Sequence, residues 1–79
     1  MKNSDIRIEA SSSEKYFYLN AFLPNVEDRV GRLGVEYKDE NSVKIIYVIT
    51  DINYTGCGIA TALLNQAIET FKGYEIKHS

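Results

Sequence analysis

The longest pattern of apolar positions joins a predicted strand to a predicted helix through a short turn. Residues 43–50 are almost continuously apolar and rich in β-branched side chains, which is typical of a strand covered on both faces. In residues 59–71 the apolar positions recur at helical spacing instead. Residues 51–58 have the side chains of a turn. The pattern therefore predicts a strand, a glycine-containing turn and a helix.

Alternating positions predict further strands on either side of this unit. Residues 5–10 are typical of a first, half-buried strand, and residues 15–23 of a second. Residues 29–37 predict a third strand, whose two glycines indicate a bulge or a close approach of another group. After the helix, Gly73 is the expected C-cap and residues 74–77 form a short last strand. On the second strand, one face has Tyr16, Tyr18, Asn20 and Phe22, and the other has Phe17, Leu19, Ala21 and Leu23.

These elements predict an α+β fold, with a mostly antiparallel mixed sheet of four to five strands and one main helix after the glycine turn. If the last strand returns beside the fourth, the crossover makes that pair parallel. The three serines at residues 11–13 form a loop between the first two strands. One helix covers only one face of the sheet, so the other face is expected to be bare and apolar. A homodimer or a protein partner is expected to cover it.

Composition narrows the possible classes of protein. A chain of 79 residues, 44% of them hydrophobic, predicts a single domain over residues 1–79. The net charge of −2 and the lack of a Lys/Arg cluster argue against nucleic-acid binding. One Cys and one His exclude an internal disulfide and predict no metal site. No signal peptide or membrane segment of about 20 apolar residues is seen, so the expected location is the cytoplasm.

The turn before the helix has a backbone that suits an anion. The first turn of a helix leaves about four N–H groups without intrahelical partners, and the helix dipole adds about half a positive charge there. Gly56 and Gly58 lack the β-carbons that would keep a phosphate from the backbone. Alternatively, the two glycines only make a tight connection. A Walker-type loop is excluded because the chain has no Gly-Lys pair, and Thr61 stands where a dinucleotide-binding loop has a third small residue.

The strand, turn and helix together resemble motif A of the GNAT acyltransferases, the acetyl-CoA-dependent N-acetyltransferases. The motif of that family is Arg or Gln, two residues, Gly, one residue, and Gly or Ala at the start of a long helix. Here residues 55–60 read Thr-Gly-Cys-Gly-Ile-Ala, so every signature position but the first matches. The resemblance extends over roughly residues 15–77.

The resemblance implies acetyl-CoA as co-substrate and an amine as acceptor, either a small molecule or a protein lysine or N-terminus. In the family, two parallel strands splay apart and the pantetheine arm lies between them. Backbone groups of Val48 and Thr50 would pair with that arm, and N–H groups after Thr55 would bind the pyrophosphate. The cofactor-binding residues implied in this way are Val48, Thr50, Thr55, Gly56, Cys57, Gly58, Ile59, Ala60 and Thr61.

Several positions depart from the family. Thr55 stands where Arg or Gln is usual, and Cys57 stands where a basic residue is common. Members usually have two helices between the first and second strands and further elements after the fifth. Lys44 occupies the place of a glutamate that some members use as general base. Catalytic residues are therefore unknown, and the candidates are Tyr47, Glu36 and Tyr74, with Tyr37 as a further possible base.

Two classes of function remain open from the sequence. The first is an acetyl-CoA-dependent N-acetyltransferase. The alternative is a truncated relative that binds acyl-CoA, or acts through protein contacts as an inhibitor does, without catalysis. Cofactor binding with turnover of an amine distinguishes the first from the second.

Overall fold

The computed structural model describes residues 6–56 and 58–78. Within them, five strands form one sheet in the order β1-β2-β3-β4-β5, in which only the β4–β5 pair is parallel. The predicted α+β fold and the parallel return of the last strand are confirmed. The elements are β1 (Arg7–Ser12), β2 (Tyr16–Phe22), β3 (Gly31–Asp39), β4 (Ser42–Thr50), a 3₁₀ turn (Ile52–Tyr54), α1 (Ile59–Thr70) and β5 (Glu75–His78).

The connection between β1 and β2 is shorter than the serine loop predicted from the sequence. Ser11 and Ser12 belong to β1, where they pair with Tyr18 and Phe17 of β2. The Ser13 N–H donates to the Tyr16 carbonyl at 2.8 Å and closes the hairpin. The serine loop was wrong because serines on an exposed edge strand can continue the backbone ladder, although their side chains are typical of turns.

The hydrophobic core lies between α1 and one face of the sheet. The buried side chains of α1 are Ile59, Leu63 and Ala67, which follow one another at intervals of four residues and pack on β2, β3 and β4. The adjoining residue Phe71 is also buried. Its ring contacts three others at edge-on angles, with centroid distances of 5.1, 6.0 and 5.4 Å, to Phe17, Tyr37 and Tyr74 respectively.

The helix ends two residues before the position predicted from its glycine. Phe71 is the C-cap, and its N–H donates to the Ala67 carbonyl at 2.9 Å. Gly73 lies in the turn that follows, with φ of 96°. The predicted glycine cap is therefore wrong, because the backbone already leaves the helical conformation at Phe71, with φ of −103° and ψ of 29°. α1 is 12 residues long, and the described part of the chain has no helix that suits a membrane span.

The sheet face opposite α1, called the open face below, is covered by no other described element. The predicted division of β2 is confirmed, because Leu19 and Ala21 are buried in the core and Tyr16 and Tyr18 are only half-buried. The open face is less apolar than expected, since arginine side chains cover some of its rings. The guanidinium carbons of Arg7 and Arg32 lie 4.9 Å from the Phe22 ring centre and 4.0 Å from that of Tyr18, respectively.

Candidate functional site

The turn between β4 and α1 leaves the first helical N–H groups uncapped. Gly56 and Gly58 have φ of 86° and 79°, in the left-handed region that glycine adopts readily. Gly58 is the N-cap and has no side chain to accept a bond. The first intrahelical bond runs from the Ala62 N–H to the Gly58 carbonyl, at 2.9 Å. The preceding N–H groups, from Ile59 to Thr61, thus have no intrahelical acceptor.

A depression of about 420 Å³ lies over this helix start. None of the side chains lining it is charged, and the first turn of α1 has no acidic residue that would repel an anion. A β-carbon placed on Gly56 would meet no atom within 4 Å, so the space beside this backbone is open. Seven of the nine predicted residues line the depression: Thr50, Thr55, Gly56, Gly58, Ile59, Ala60 and Thr61.

The other two predicted residues are not among those that line the depression. Val48 lies on β4, two residues before Thr50, and its half-buried side chain packs against the core. Cys57 lies outside the described residues.

Residues at the start of the turn between β4 and α1 form hydrogen bonds with one another. The Thr55 hydroxyl donates to the Ile52 carbonyl at 3.3 Å, and the Asp51 carboxylate accepts from the Asn53 N–H at 2.9 Å.

A β-bulge divides β4 into two halves. Val35 of β3 pairs with Ile45 and Gly34 pairs with Tyr47, so β4 has one more residue than β3 at this point, Ile46. The two glycines of the third strand predicted a bulge or a close approach of another group. The bulge is on the fourth strand instead, and the close approach is confirmed, since Ile59 and Tyr47 pack against Gly31 and Gly34 respectively. A bulge shifts the alternation of the strand by one residue. As a result, β4 points its odd-numbered side chains to one face of the sheet before the bulge. After the bulge, its even-numbered side chains point to that same face.

The half of β4 after the bulge has an edge that no described strand pairs. β5 pairs with β4 only over Ser42–Ile45. The Asp51 N–H donates towards β3, to the Val30 carbonyl at 2.8 Å. Because backbone groups of successive residues point to opposite neighbours, those of Thr50 and Val48 point away from β3. The open edge therefore leads directly into the depression at the start of α1.

The candidate catalytic residues are not brought together. Tyr47 and Glu36 lie on the open face, and the Glu36 carboxylate is 3.3 Å from the Lys38 ammonium. Tyr37 packs against Phe71 on the core side. Tyr74 precedes β5 and lies near the first residues of β4, about 25 Å along the strand from Thr50 at the usual rise per residue. Tyr47 is therefore the candidate nearest to the open edge.

Comparison with known proteins agrees with this geometry. Residues 3–79 match the model of the "Acetyltransferase (GNAT) family". The chain belongs to this family. GNAT membership makes acyl transfer the general class of chemistry to expect. No curated protein matches the sequence.

Solved structures of several acetyltransferases have the same fold. An aminoglycoside acetyltransferase from an uncultured soil metagenomic sample, in complex with sisomicin, superposes with a TM-score of 0.69 at 23% identity over 85% of this chain. A GNAT acetyltransferase from Streptococcus pneumoniae TIGR4 gives 0.73 at 17% identity, over 94% of this chain and 74% of its own. Ribosomal-protein-alanine N-acetyltransferase from Brucella melitensis biovar Abortus 2308 superposes with a TM-score of 0.66 at 17% identity. This match covers 85% of this chain and 53% of the transferase.

The chain spans about half, 48%, of the length of the soil acetyltransferase. At these identities the likeness shows the fold and leaves substrates open.

Two groups near the site are not among the residues predicted from the sequence. They are the bulge at Ile46 and the arginines Arg29 and Arg32. The alternation along the third strand was the available signal for Arg32, since it places this residue on the face opposite the core.

Proposed function

We propose that this chain is an acetyl-CoA-dependent N-acetyltransferase that acts on an amine. The observation that carries the proposal is the continuity between the open edge of β4 and the uncapped start of α1. The edge presents backbone groups of Val48 and Thr50, and the helix start presents N–H groups from Ile59 to Thr61. This order of groups suits a molecule that has amides at one end and a pyrophosphate at the other.

The residues present fit acetyl-CoA. Its pyrophosphate would be held by backbone N–H groups at Gly56, Gly58 and the first turn of α1, where the helix dipole favours an anion. Val48 and Thr50 would pair with the pantetheine amides as a neighbouring strand would. Thr55 contributes no positive charge, so binding relies on the backbone. Acetyl-CoA would supply an acetyl group activated as a thioester, whose C–S bond breaks as the N–C bond of the product forms.

The contribution of the chain to the chemistry is mainly one of position. Holding an amine beside the open edge of β4 lowers the barrier by avoiding the loss of freedom that an encounter in solution requires. A backbone N–H of this edge would polarise the acyl carbonyl. The Tyr47 hydroxyl, on the open face next to the bulge, is our candidate to relay a proton: it would accept the proton that the amine loses while it donates its own to the departing sulfur.

Three further features belong to the proposal. They are a single domain over residues 1–79, a cytoplasmic location, and a homodimer or protein partner that covers part of the open face. The half-buried ring of Tyr16, outside the depression that Arg29 and Arg32 line, supports contact at this face. Sedimentation equilibrium tests the dimer, with Tyr16→Lys as the disrupting variant and Ile68→Lys, on the exposed side of α1, as the control. A monomer at every concentration contradicts self-association.

The experiment for the function has two stages. Calorimetric titration with acetyl-CoA measures binding, and a thiol assay with a panel of amines then measures turnover. We expect saturable binding and amine-dependent release of free thiol. Binding with no turnover of any amine would favour a non-catalytic acyl-CoA-binding module. A folded protein that does not bind acetyl-CoA would contradict the proposal and favour action through protein contacts.

A further inference from the structure

The centre of the open face holds an arginine with an unused hydrogen-bond donor. Arg32 lies on β3, with its guanidinium carbon 4.0 Å from the centre of the Tyr18 ring. Its Nε atom is buried and has no hydrogen-bond partner among the described residues. Buried donors are nearly always hydrogen-bonded, and leaving one without an acceptor is unfavourable. Arg32 therefore has hydrogen-bonding capacity that the described residues do not use.

A second guanidinium lies beside the first. Arg29 donates from Nη1 to Oδ1 of Asn20 at 3.3 Å, and Asn20 is the direct cross-strand partner of Arg32. Arg29 and Arg32 also line the same small depression, of about 170 Å³, together with Ile49. Guanidinium groups match the oxygens of carboxylate and phosphate groups in both charge and geometry.

Carboxylates of the described residues neutralise this pair only in part. Within the described ranges, neither guanidinium forms an ion pair with Asp or Glu. Glu9 faces Asn20 from β1, but its carboxylate is ion-paired with Arg7 at 3.1 Å. Asp51 lines the same depression and accepts from the Asn53 N–H, so its carboxylate offsets one of the two positive charges. The arginine pair is therefore a locally positive site on a chain with a net charge of −2.

The arginine pair adjoins the half of β4 where acetyl transfer is proposed. Arg32 is the cross-strand partner of Ile49, and Gly34 is that of Tyr47. Strands are about 4.8 Å apart and rise about 3.3 Å per residue, so the α-carbons of Arg32 and Tyr47 are about 8 Å apart. Because both side chains are long and lie on the open face, their ends can contact the two ends of a small molecule that carries an amine and an oxyanion.

We propose that Arg32, with Arg29 beside it, binds an oxyanion of the acceptor, so that the preferred acceptors are amines carrying a carboxylate or a phosphate. The proposal rests on the proposed acetyl transfer for its chemistry, but the binding of the oxyanion itself does not require acetyl-CoA. Arg32 acts here as a specificity-determining residue that orients the amine towards the edge of β4.

Anion binding is tested first without acetyl-CoA, from the arginine Nε–H signals in ¹H–¹⁵N spectra. The probes are β-alanine and phosphoethanolamine, and their controls without the oxyanion are β-alaninamide and ethanolamine. Arg32→Gln identifies the Arg32 signal by its loss. Arg7→Gln does the same for Arg7, the matched control, because Arg7 also stacks on an aromatic ring of the open face but is ion-paired.

We expect a saturable shift of the Arg32 signal with an oxyanion probe and none with its control, while the Arg7 signal stays unchanged. The probe that gives the shift identifies carboxylate or phosphate as the group bound. If neither β-alanine nor phosphoethanolamine moves the Arg32 signal, the proposal is overturned.

Kinetics then tests specificity. We expect kcat/KM for β-alanine or phosphoethanolamine to exceed that of its control by about ten- to a hundredfold, the equivalent of one hydrogen bond to a charged group. Arg32→Gln should remove this preference through a higher KM, and Arg7→Gln should retain it. Unchanged acetyl-CoA binding in Arg32→Gln shows that the variant is folded.

The two proposals fail in different ways. If the native protein transfers acetyl groups to both members of a pair equally well, the oxyanion site is contradicted and the acetyltransferase is not. If the native protein binds no acetyl-CoA, the acetyltransferase is contradicted, and the Arg32 signal alone decides on the oxyanion site.

Discussion

The ring of Tyr47 lies directly over Gly34, its partner across the β3–β4 pair. A β-carbon on Gly34 would come within 2.6 Å of Cε2 and 2.7 Å of Cζ in this ring. The two residues also adjoin the bulge, since the register shifts immediately after Gly34. The absent side chain of Gly34 thus determines where the hydroxyl of Tyr47 lies on the open face.

Replacing Gly34 with Ala should displace the Tyr47 ring. The colliding atoms are at the far end of a side chain on the open face, where they can move. We therefore expect a loss of about 1 kcal/mol in unfolding free energy, which is small for an overpacked site. Urea unfolding of the two single variants and of Gly34→Ala with Tyr47→Ala forms a double-mutant cycle. Additive effects of the two changes would contradict this contact.

Replacing Gly31 with Ala should be more destabilising. Its β-carbon would lie 2.6 Å from Cγ2 of Ile59 and 3.3 Å from Cδ1 of Leu63, both on α1, and 3.2 Å from the backbone carbonyl of Ile49 in β4. These atoms have little space to move, so we expect a loss of about 3 kcal/mol in unfolding free energy. Urea unfolding compares the two glycine variants, and a smaller loss for Gly31→Ala than for Gly34→Ala would contradict this ranking.

The hydrophobic pattern was sufficient to predict the core of this fold. Alternation along residues 15–23 and the helical spacing from Ile59 to Phe71 reflect burial, which dominates folding, and both are confirmed. The bulge at Ile46 has no such signal, because both halves of β4 are apolar and a shift of one residue leaves the composition unchanged. The end of β1 at Ser12 and the start of β3 at Gly31 were not predicted, because hydrogen bonding to a neighbouring strand determines where a strand begins and ends.

Adding a cation at Thr55 should strengthen acetyl-CoA binding. Thr55 lines the depression but its hydroxyl donates to the Ile52 carbonyl, so no charged group reaches an anion there. Thr55→Arg should increase the affinity at least about tenfold, as one hydrogen bond from a charged donor would. Calorimetry measures this gain, which should decrease at high salt.

The control for this variant is Thr70→Arg. Thr70 is also exposed, and its hydroxyl likewise donates to a carbonyl of its own segment, that of Gln66 at 2.7 Å. It lies at the opposite end of α1, so the same added charge should leave the acetyl-CoA affinity unchanged. Equal gains in both variants would show a general effect of charge.

The turn between β3 and β4 should contribute to stability in a pH-dependent way. The Asn41 N–H donates to Asp39 Oδ1 at 2.8 Å and lowers the pKa of this carboxyl below its ordinary value. A lowered pKa in the folded state stabilises the protein above the unfolded value, about 3.9, and this contribution disappears as the pH falls through the folded value. Asp39→Asn should therefore be less stable than the native protein near pH 7. This gap in stability between the two proteins should narrow towards about pH 3. Thermal unfolding across this range measures the gap, and a gap independent of pH would contradict the charge effect.

The turn of the candidate site could be predicted from the sequence, because glycine residues indicate where the backbone turns. Gly56 and Gly58 marked the turn, and the residues around them line one depression. The arginine pair was not predictable in this way, because it depends on which residues of three strands become neighbours. The cross-strand position of Asn20 beside Arg32, which brings Arg29 close, is a property of the register.

The most direct test of acetyl-CoA binding at the start of α1 compares Gly56→Glu with Gly73→Glu. Both glycines have positive φ, 86° and 96°, and open space around the β-carbon, so the two changes impose the same strain. Of these two glycines, Gly56 lines the depression at the start of α1 and Gly73 does not. Calorimetric titration should show that acetyl-CoA binds the native protein and Gly73→Glu alike but does not bind Gly56→Glu, whose carboxylate repels the pyrophosphate. Equal binding by all three proteins, or binding by none of them when all are folded, would contradict this site.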